Sequence, residues 1–282
     1  MHVFSKLTRP YLVFMGIFIV MPMFLILIYA FTKAGNDVTT FTLTLDNFFK
    51  FLDPVFIKVL MKSLQIALVT TVICILIGYP VAYIIANMSS KMGVFMILLI
   101  TLPMWINMLV RTYAWLGILS DAGLVNNLLQ YLGFKPVELL YTDFAVIMGM
   151  VYNSLPFMIL QIHNSLDKMD KAVINASYDL GANRLQTFLR VVLPLSLPGV
   201  ISGITLVFLP SVSTFVIPKL LGGGQYMLIG NLIEKQFITV GDWNFGSAIS
   251  LIMALIIMAS MYLTKKADKN LEEERERGVK AW

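Results

Sequence analysis

The sequence predicts an all-α membrane protein with six transmembrane helices, and both its composition and its apolar stretches indicate this class. Only 13% of the 282 residues are charged and 58% are hydrophobic, with a mean hydropathy of +0.81, whereas a soluble domain has about 25% charged residues. A helix crosses the hydrocarbon with about 20 apolar residues, and six stretches are long enough: 11–31, 63–86, 94–118, 144–162, 197–217 and 245–264. None contains Asp or Glu, and Arg111 is their only basic residue. We expect a single transmembrane domain over residues 1–282.

The first stretch follows a short basic start, so a cleaved signal peptide is the alternative to a membrane helix. Its 21 residues exceed the apolar core of a signal peptide, which has about 7–15. No small-x-small cleavage site follows within residues 29–33. We therefore predict a retained transmembrane helix.

Most of the stretches carry residues that bend or pack helices. Prolines inside the stretches predict kinks, because neighbouring helices and Ser or Thr side chains can satisfy the carbonyls that proline leaves free; they are Pro22, Pro80, Pro103, Pro156 and Pro210. The pairs Ala145-x3-Gly149 and Gly199-x3-Gly203 predict close helix packing, within the chain or against a partner.

The orientation follows from the Lys and Arg residues, which are enriched on the cytoplasmic side of membrane proteins. Most of them lie on the side that holds both termini, the 163–194 connection and the charged 265–282 tail. We expect both termini to be cytoplasmic, with membrane lipid around the six stretches. The net charge of +5 then serves orientation and indicates no nucleic-acid partner. The tail is predicted to be a solvated charged helix.

The chain offers little for catalysis or for cofactors. Cys74 is the only cysteine, and His2 and His163 are the only histidines, so neither a disulfide nor a Cys/His metal site is expected. A Gly-x4-Gly-Lys-Ser/Thr phosphate loop is absent from the sequence. The 222–224 glycines, followed by Gln and Tyr, predict an external turn. We expect no catalytic residue, no metal and no cofactor in this chain.

The long connection between the fourth and fifth stretches, about residues 163–194, has its own helix signals. Asp167 with Asp170 resembles an N-terminal cap, and Gly181 can end a helix in the left-handed conformation. Between them, Ala172, Val173, Ala176 and Leu180 share one helical face. A second short helix, 184–192, is expected to stop before Pro194. Such a segment can receive force from a cytoplasmic partner or lie on the lipid interface, and the pattern alone leaves both open.

This connection resembles the EAA loop of bacterial ABC-importer permeases, in which Glu-Ala-Ala precedes a glycine, a β-branched residue and Leu-Pro. The matching positions are Asn175-Ala176-Ser177, Asp179, Gly181-Ala182, Val191 and Leu193-Pro194. The sequence departs from this pattern at two positions. Ser177 replaces the second alanine, and Asn175 replaces the glutamate, so it can hydrogen-bond but cannot form the salt bridge that a glutamate could. The resemblance implies that residues 175–182 contact an ATPase subunit.

Further segments resemble the permeases of spermidine/putrescine importers, and together the resemblance covers over three quarters of the chain. They are 45–48, 53–54, 78–80, 111–115, 221–224, 228–233 and 242–246. The resemblance implies a type I ABC importer fold in a bacterial inner membrane, with four kinds of part: this permease, a second homologous permease, two copies of an ATPase that binds ATP and Mg, and an external polyamine-binding protein.

A polyamine is a multivalent cation, and this chain has no acid in any apolar stretch to bind it. Aromatic faces, backbone carbonyls of kinked helices or acids of the second permease are therefore expected to contribute. The candidate pathway residues are Tyr79, Tyr83, Trp105, Arg111, Tyr113, Trp115, Tyr152, Asn153, Ser211, Ser213 and Thr214. Arg111 is expected near the outer boundary, about 26 Å along a straight helix from Val94, as a snorkelling residue, a gate or a docking charge.

Two alternatives remain at this stage. The same kind of permease could carry an amino acid, an iron chelate or an anion, and Arg111 facing a cavity would support an anion. A membrane enzyme or a free-standing channel is the other alternative. The lack of acid or histidine clusters disfavours the enzyme, and the helical 163–194 connection would serve no purpose in a free-standing channel.

Overall fold

The computed structural model describes residues 11, 13–33, 42–224 and 226–280, with the side chains of 267, 268 and 270–280 outside the description. Within these residues the chain is helical, and a single bridge between Thr32 and Leu43 is its only β-pairing. The helices are α1 (Val13–Ala30), α2 (Asp46–Phe51), α3 (Pro54–Ala86), α4 (Ser90–Thr101), α5 (Met108–Leu119), α6 (Leu124–Tyr131), α7 (Asp143–Asp167), α8 (Lys171–Asp179), α9 (Arg184–Ser213), α10 (Val216–Leu221), α11 (Ile229–Glu234) and α12 (Trp243–Lys280).

Among the described residues, five helices are long and apolar enough to cross a membrane, and the bent pair α4–α5 makes a sixth if it counts as one span. They correspond to the six apolar stretches of the sequence. α3 begins at Pro54, nine residues before the apolar stretch, because Asp53 accepts a 2.9 Å hydrogen bond from the Val55 N–H and so caps the helix. α12 continues through the charged tail as one helix to Lys280.

The third apolar stretch, for which Pro103 predicts a kinked helix, is instead broken into two helices. A 3₁₀ turn, Leu102–Trp105, follows α4, and the chain then bends by 92° into the next helical segment. Pro103 lies in that turn and Asn107 caps α5, accepting a 2.8 Å bond from the Leu109 N–H. Because the helix breaks here, a length measured along a straight helix does not locate Arg111.

The fifth stretch also differs from its prediction. Instead of a short 184–192 helix that stops before Pro194, α9 runs without interruption from Arg184 to Ser213. A π-helical turn, Phe188–Val192, lies just before Pro194. Proline has no N–H for the α-helical bond to Arg190, and a π turn redistributes the bonds without ending the helix. α9 ends at Ser213, four residues before the predicted boundary, and α10 begins separately at Val216.

The centre of the bundle consists of α3, α7 and α9. Glycines bring α9 and α7 close together, since a Cβ on Gly199 would lie 2.7 Å from the Gln161 carbonyl oxygen and one on Gly203 would lie 2.5 Å from Met158 Sδ. The Gly199-x3-Gly203 pair therefore packs within this chain. The other predicted pair faces α10, where a Cβ on Gly149 would lie 2.5 Å from Leu221.

α1 is peripheral and packs mainly along α12. Two asparagines hold its C-terminal end. Asn47 donates to the carbonyls of Ala30 and Thr32 at 3.1 and 2.9 Å, and Asn244 donates to those of Tyr29 and Thr32 at 3.0 and 2.8 Å. These bonds satisfy carbonyls that a helix end leaves without partners.

Candidate functional site

The segment between α7 and α9, residues 168–183, forms α8 and a tight turn at one end of the bundle, which we call the α8 end. Asp170 caps α8, accepting a 2.9 Å bond from the Ala172 N–H. Asp167, the residue predicted as the cap, is instead the last residue of α7. Gly181 has φ of +83°, and the turn closes with bonds from the Gly181 N–H to Tyr178 O and from the Ala182 N–H to Ser177 O. This is the left-handed glycine turn that the sequence predicts.

α8 presents nearly all of its surface outward. None of its residues is fully buried, and Asn175, Ala176 and Asp179 are exposed. Leu180 at its end is 89% exposed. The predicted face of Ala172, Val173, Ala176 and Leu180 is therefore open, and the side that contacts the bundle is the one with Ile174 and Ser177.

A hydroxyl pair fastens α8 to the base of α9. The Ser177 and Thr187 hydroxyl oxygens lie 2.9 Å apart, and Thr187 is only 2% exposed. Ser177 also donates to the Ile174 carbonyl at 2.7 Å, while Ile174 packs against the core. Displacing α8 must therefore strain the contact with the first turn of α9.

The base of α9 is in turn joined to α3. Phe188 in the π turn packs edge-on against Tyr79 and Tyr83, with ring centroids 5.8 and 5.3 Å apart. The Tyr79 and Ser196 hydroxyl oxygens form a buried pair at 2.7 Å. Tyr79 and Tyr83, predicted along the substrate pathway, thus lie at the α8 end in packing contacts. Tyr83 also borders a cavity of about 460 Å³ beside α8, together with His163 and Asp167.

At the opposite end of α9, the structure brings four of the predicted pathway residues to one cavity of about 250 Å³. Asn153 on α7 and Ser211, Ser213 and Thr214 at the end of α9 all line it. The rest of the wall consists of Met108, Met150, Ser154, Pro210, Phe215, Val216 and Ile217. The cavity therefore combines hydroxyl and amide groups with an apolar surface.

Arg111 lies behind this cavity and does not line it. Its Nη2 donates to Asn153 Oδ1 at 2.9 Å, and its guanidinium carbon is 5.9 Å from the centroid of the Tyr152 ring. Trp115 packs edge-on against Tyr152 at 5.4 Å. Among the described residues, Nε and Nη1 of Arg111 are buried without a hydrogen-bond partner. Tyr152 and Trp115 thus support the arginine.

None of the six aromatic residues predicted along the pathway lines this cavity, and two of them lie on the surface of the chain. Trp105 in the bend of the third stretch is 78% exposed and Tyr113 on α5 is 57% exposed. Both lie on the surface of this chain. No sequence pattern predicted Met108 and Ser154 as cavity residues or Thr187 as the partner of Ser177. None carries a local signal, because each contact joins separate helices.

A bundle of membrane-length helices with a polar cavity at one end and an exposed helix fastened to its other end defines an integral membrane transport protein. The family model described as "Binding-protein-dependent transport system inner membrane component" matches residues 75–273. The chain belongs to this family and is a multi-pass inner-membrane permease.

Individual relatives of this chain are also named as permease proteins. The chain is 36% identical over 263 residues to the spermidine/putrescine transport system permease protein PotB of Escherichia coli K12, covering 92% of this chain and 96% of the relative. It is 36% identical to PotB of Haemophilus influenzae, covering 92% of each, and 31% identical to the E. coli inner membrane ABC transporter permease YdcU, covering 83% of this chain and 78% of the relative.

A solved bacterial ABC transporter for import of the acidic polysaccharide alginate has a chain with the same fold. Its TM-score is 0.76 at 18% identity, and the match covers 95% of both chains. A second alginate transporter structure, in complex with a periplasmic protein that holds an alginate pentasaccharide, matches with a TM-score of 0.80 at 17% identity, covering 95% of this chain and 94% of the other. The fold is that of an ABC importer permease.

Proposed function

We propose that this chain is the non-catalytic permease subunit of an ATP-driven polyamine importer. The main support for this proposal is the 36% identity to spermidine/putrescine permeases over 92% of the chain. The position of Arg111 supports a cation cargo over an anion, because its guanidinium lies behind Asn153 and outside the cavity wall. The cargo would pass by alternating access between the two ends of the bundle.

The proposed assembly contains a second, homologous permease, two copies of a cytoplasmic ATPase that bind ATP and Mg, and an external polyamine-binding protein. The family description, which names a binding protein, supports the last of these. The α8 end faces the cytoplasm in this proposal, as do both termini, which agrees with the excess of Lys and Arg on that side.

In this assembly the exposed surface of α8 and its turn contacts the ATPase. Asn175, Ala176, Asp179 and Ala182 lie on this segment, and Gly181 fixes the shape of the turn. Movement of the ATPases displaces α8, and the Ser177–Thr187 hydroxyl pair passes that displacement to α9. The Tyr79–Ser196 pair extends the connection to α3.

The cargo is tested by reconstituting this chain with its partners in liposomes and measuring ATP-dependent uptake of labelled spermidine. We expect uptake that unlabelled putrescine reduces and that stops without ATP. Sulfate and neutral amino acids serve as competitors of another chemical class. ATP-dependent uptake of one of these in place of spermidine would refute the polyamine assignment while leaving the permease class intact.

The coupling contact is tested with Ser177→Ala and Thr187→Val, each of which removes one hydroxyl with little change of volume. We expect the complex to assemble and hydrolyse ATP while the cargo transported per ATP falls severalfold, because one hydrogen bond contributes about 1 kcal/mol. Ser202→Ala, on α9 but away from α8, is the matched control. An unchanged ratio in both hydroxyl variants would show that the pair does not transmit the movement.

A further inference from the structure

α9 ends beside the cavity without a capping turn, as α5 does at Ser120. After Ser213 the backbone turns directly into an extended conformation at Thr214, with ψ of 142°. Across the described residues, the carbonyl oxygens of 211–214 accept no hydrogen bond. α6 and α8 end differently, in glycine turns whose N–H groups bond to the last carbonyls. The C-terminal end of a helix carries partial negative charge, and at α9 no glycine turn caps it.

Part of this end is covered by α11. Gly230 packs so closely that a Cβ there would lie 2.4 Å from Ser213 O and 2.7 Å from Thr214 O. Ser211 lies earlier in the last turn. Its side chain can still bind a ligand, because Ser211 is 3% exposed, lines the cavity, and its hydroxyl has no partner among the described residues. A buried hydroxyl without a partner is destabilising.

Asn153, the amide side chain in the cavity wall, already has a hydrogen-bond partner for its oxygen. A guanidinium can only donate hydrogen bonds, so Asn153 must turn its Oδ1 toward Arg111, as the 2.9 Å contact shows. The amide N–H groups of Asn153 are not used in this bond, and the positively charged Arg111 contacts the same side chain. An incoming cation is therefore repelled at Asn153 and attracted toward the end of α9, where the partial charge is negative.

We propose that this cavity binds one ammonium group of the cargo, with Ser211 Oγ and the open carbonyl oxygens of the last turn of α9 as ligands. The inference rests on the proposed function, since the cargo is taken to be a polyamine. The apolar wall of Met108, Met150, Val216 and Ile217 contacts the methylene chain between two ammonium groups. The cavity of about 250 Å³ holds one segment of the chain. Arg111 acts through Asn153 as a positioning residue that gives the ammonium its direction.

The site explains how a chain without an acid in its apolar stretches can bind a cation. Carbonyl and hydroxyl oxygens at an open helix end replace a carboxylate, as in transporters whose interrupted helices coordinate cations. An alcohol hydroxyl can donate to the same oxygens but has no net charge, so it gains less from the partial charge of the helix end than an ammonium group does. The site is therefore selective for an alkyl-ammonium group over an alcohol of the same length.

Binding is measured on the complete complex in lipid nanodiscs, trapped with ATP and vanadate, without the external binding protein, using labelled spermidine. We expect binding that putrescine displaces and that 1,8-octanediol does not. Ser211→Ala should weaken the affinity about tenfold, which is typical for a hydrogen bond to a charged group. Thr214→Val, a second cavity hydroxyl, should weaken it less. Ser202→Ala should leave it unchanged.

Each other outcome has a distinct meaning. Equal affinity in the wild type and in Ser211→Ala, in a preparation that transports spermidine, overturns the site and leaves the polyamine function intact. Absence of wild-type binding in such a preparation also overturns the site. If the wild type, supplied with the binding protein, transports another cargo but not spermidine, the proposed polyamine function is wrong. The proposed ammonium site is then wrong as well. The subunit composition of the purified Ser211→Ala, Thr214→Val and Ser202→Ala complexes shows whether they are intact.

Discussion

The glycine turn after α8 allows a perturbation whose cost can be worked from the structure. Gly181 has φ of +83°, and a Cβ added there would meet no atom within 4 Å. Steric bulk is therefore not what makes glycine necessary. The left-handed conformation costs a residue with a side chain roughly 1–2 kcal/mol, so Gly181→Ala should lower the population of the intact turn about 5- to 30-fold.

The chain contains a matched control for this change. Gly133, which follows α6, has φ of +80° and equally open surroundings. It closes the same pattern of bonds, from the Gly133 N–H to Gln130 O and from the Phe134 N–H to Leu129 O. Gly133→Ala therefore carries the same conformational cost at a segment that is not connected to α8.

The assay compares cargo transported per ATP hydrolysed in the reconstituted complex. We expect Gly181→Ala to lower this ratio severalfold and Gly133→Ala to leave it unchanged, although both lower the thermal stability. Gly181→Asn should retain more coupling than Gly181→Ala, because asparagine tolerates the left-handed conformation better. If the two alanine variants lower the ratio equally, or if Asn is as damaging as Ala, the turn does not act through its shape at the ATPase.

Three further changes test the packing, the charge and the α9–α3 connection. Gly199→Ala should destabilise the protein by about 1–3 kcal/mol, because its Cβ would meet α7 backbone atoms that cannot rotate away. Gly117→Ala is the control and should be neutral or stabilising, because its Cβ would meet nothing within 4 Å. Equal melting temperatures of the two variants would contradict this. Burial opposes ionisation of Asp242, but hydrogen bonds from Lys50 and the Phe245 N–H outweigh burial and lower its pKa below the ordinary 3.8. The ionised Asp242 should therefore stabilise the folded protein above pH 3.8, and this contribution should be lost as the pH falls through the lowered pKa. Because the Lys50–Asp242 ion pair is partly exposed, the loss of stability should stay below about 1 kcal/mol. If the melting temperature of Asp242→Asn falls with acid as much as that of the wild type, Asp242 does not make this contribution. Tyr79→Phe should lower stability by about 1 kcal/mol and reduce transport per ATP, because it removes the hydroxyl pair with Ser196. Wild-type behaviour in both assays would show that this pair does not connect α9 to α3.

The sequence predicted the parts of the fold that depend on local chemistry. The apolar stretches correspond to α1, α3, the α4–α5 pair, α7, α9 and α12, because crossing a bilayer needs a minimum length of apolar helix. Gly181 was predicted as a helix end because few other residues adopt its conformation. The cap of α8 was misplaced by three residues, since Asp167 and Asp170 carry the same local signal and only the length of α7 separates them.

Part of the candidate site could be predicted, and the rest could not. The candidate pathway residues predicted from the sequence include Asn153, Ser211, Ser213 and Thr214, and these four line one cavity. Tyr79 and Tyr83 were proposed on chemistry alone and lie at the other end of α9. An aromatic residue in a membrane helix has no sequence feature that distinguishes a packing contact from a pathway contact.

The sequence by itself determined the class of protein, its helical stretches and the exposed turn at Gly181, because apolar length, charge and glycine conformation are properties of short segments. Only the tertiary structure decided the 92° bend of the third stretch, the unbroken α9, the Ser177–Thr187 pair and the position of Arg111 behind Asn153. The physical reason is that these features depend on which helices meet and how closely. Arg111 and Asn153 lie 42 residues apart, and their contact arises from the packing of α5 against α7.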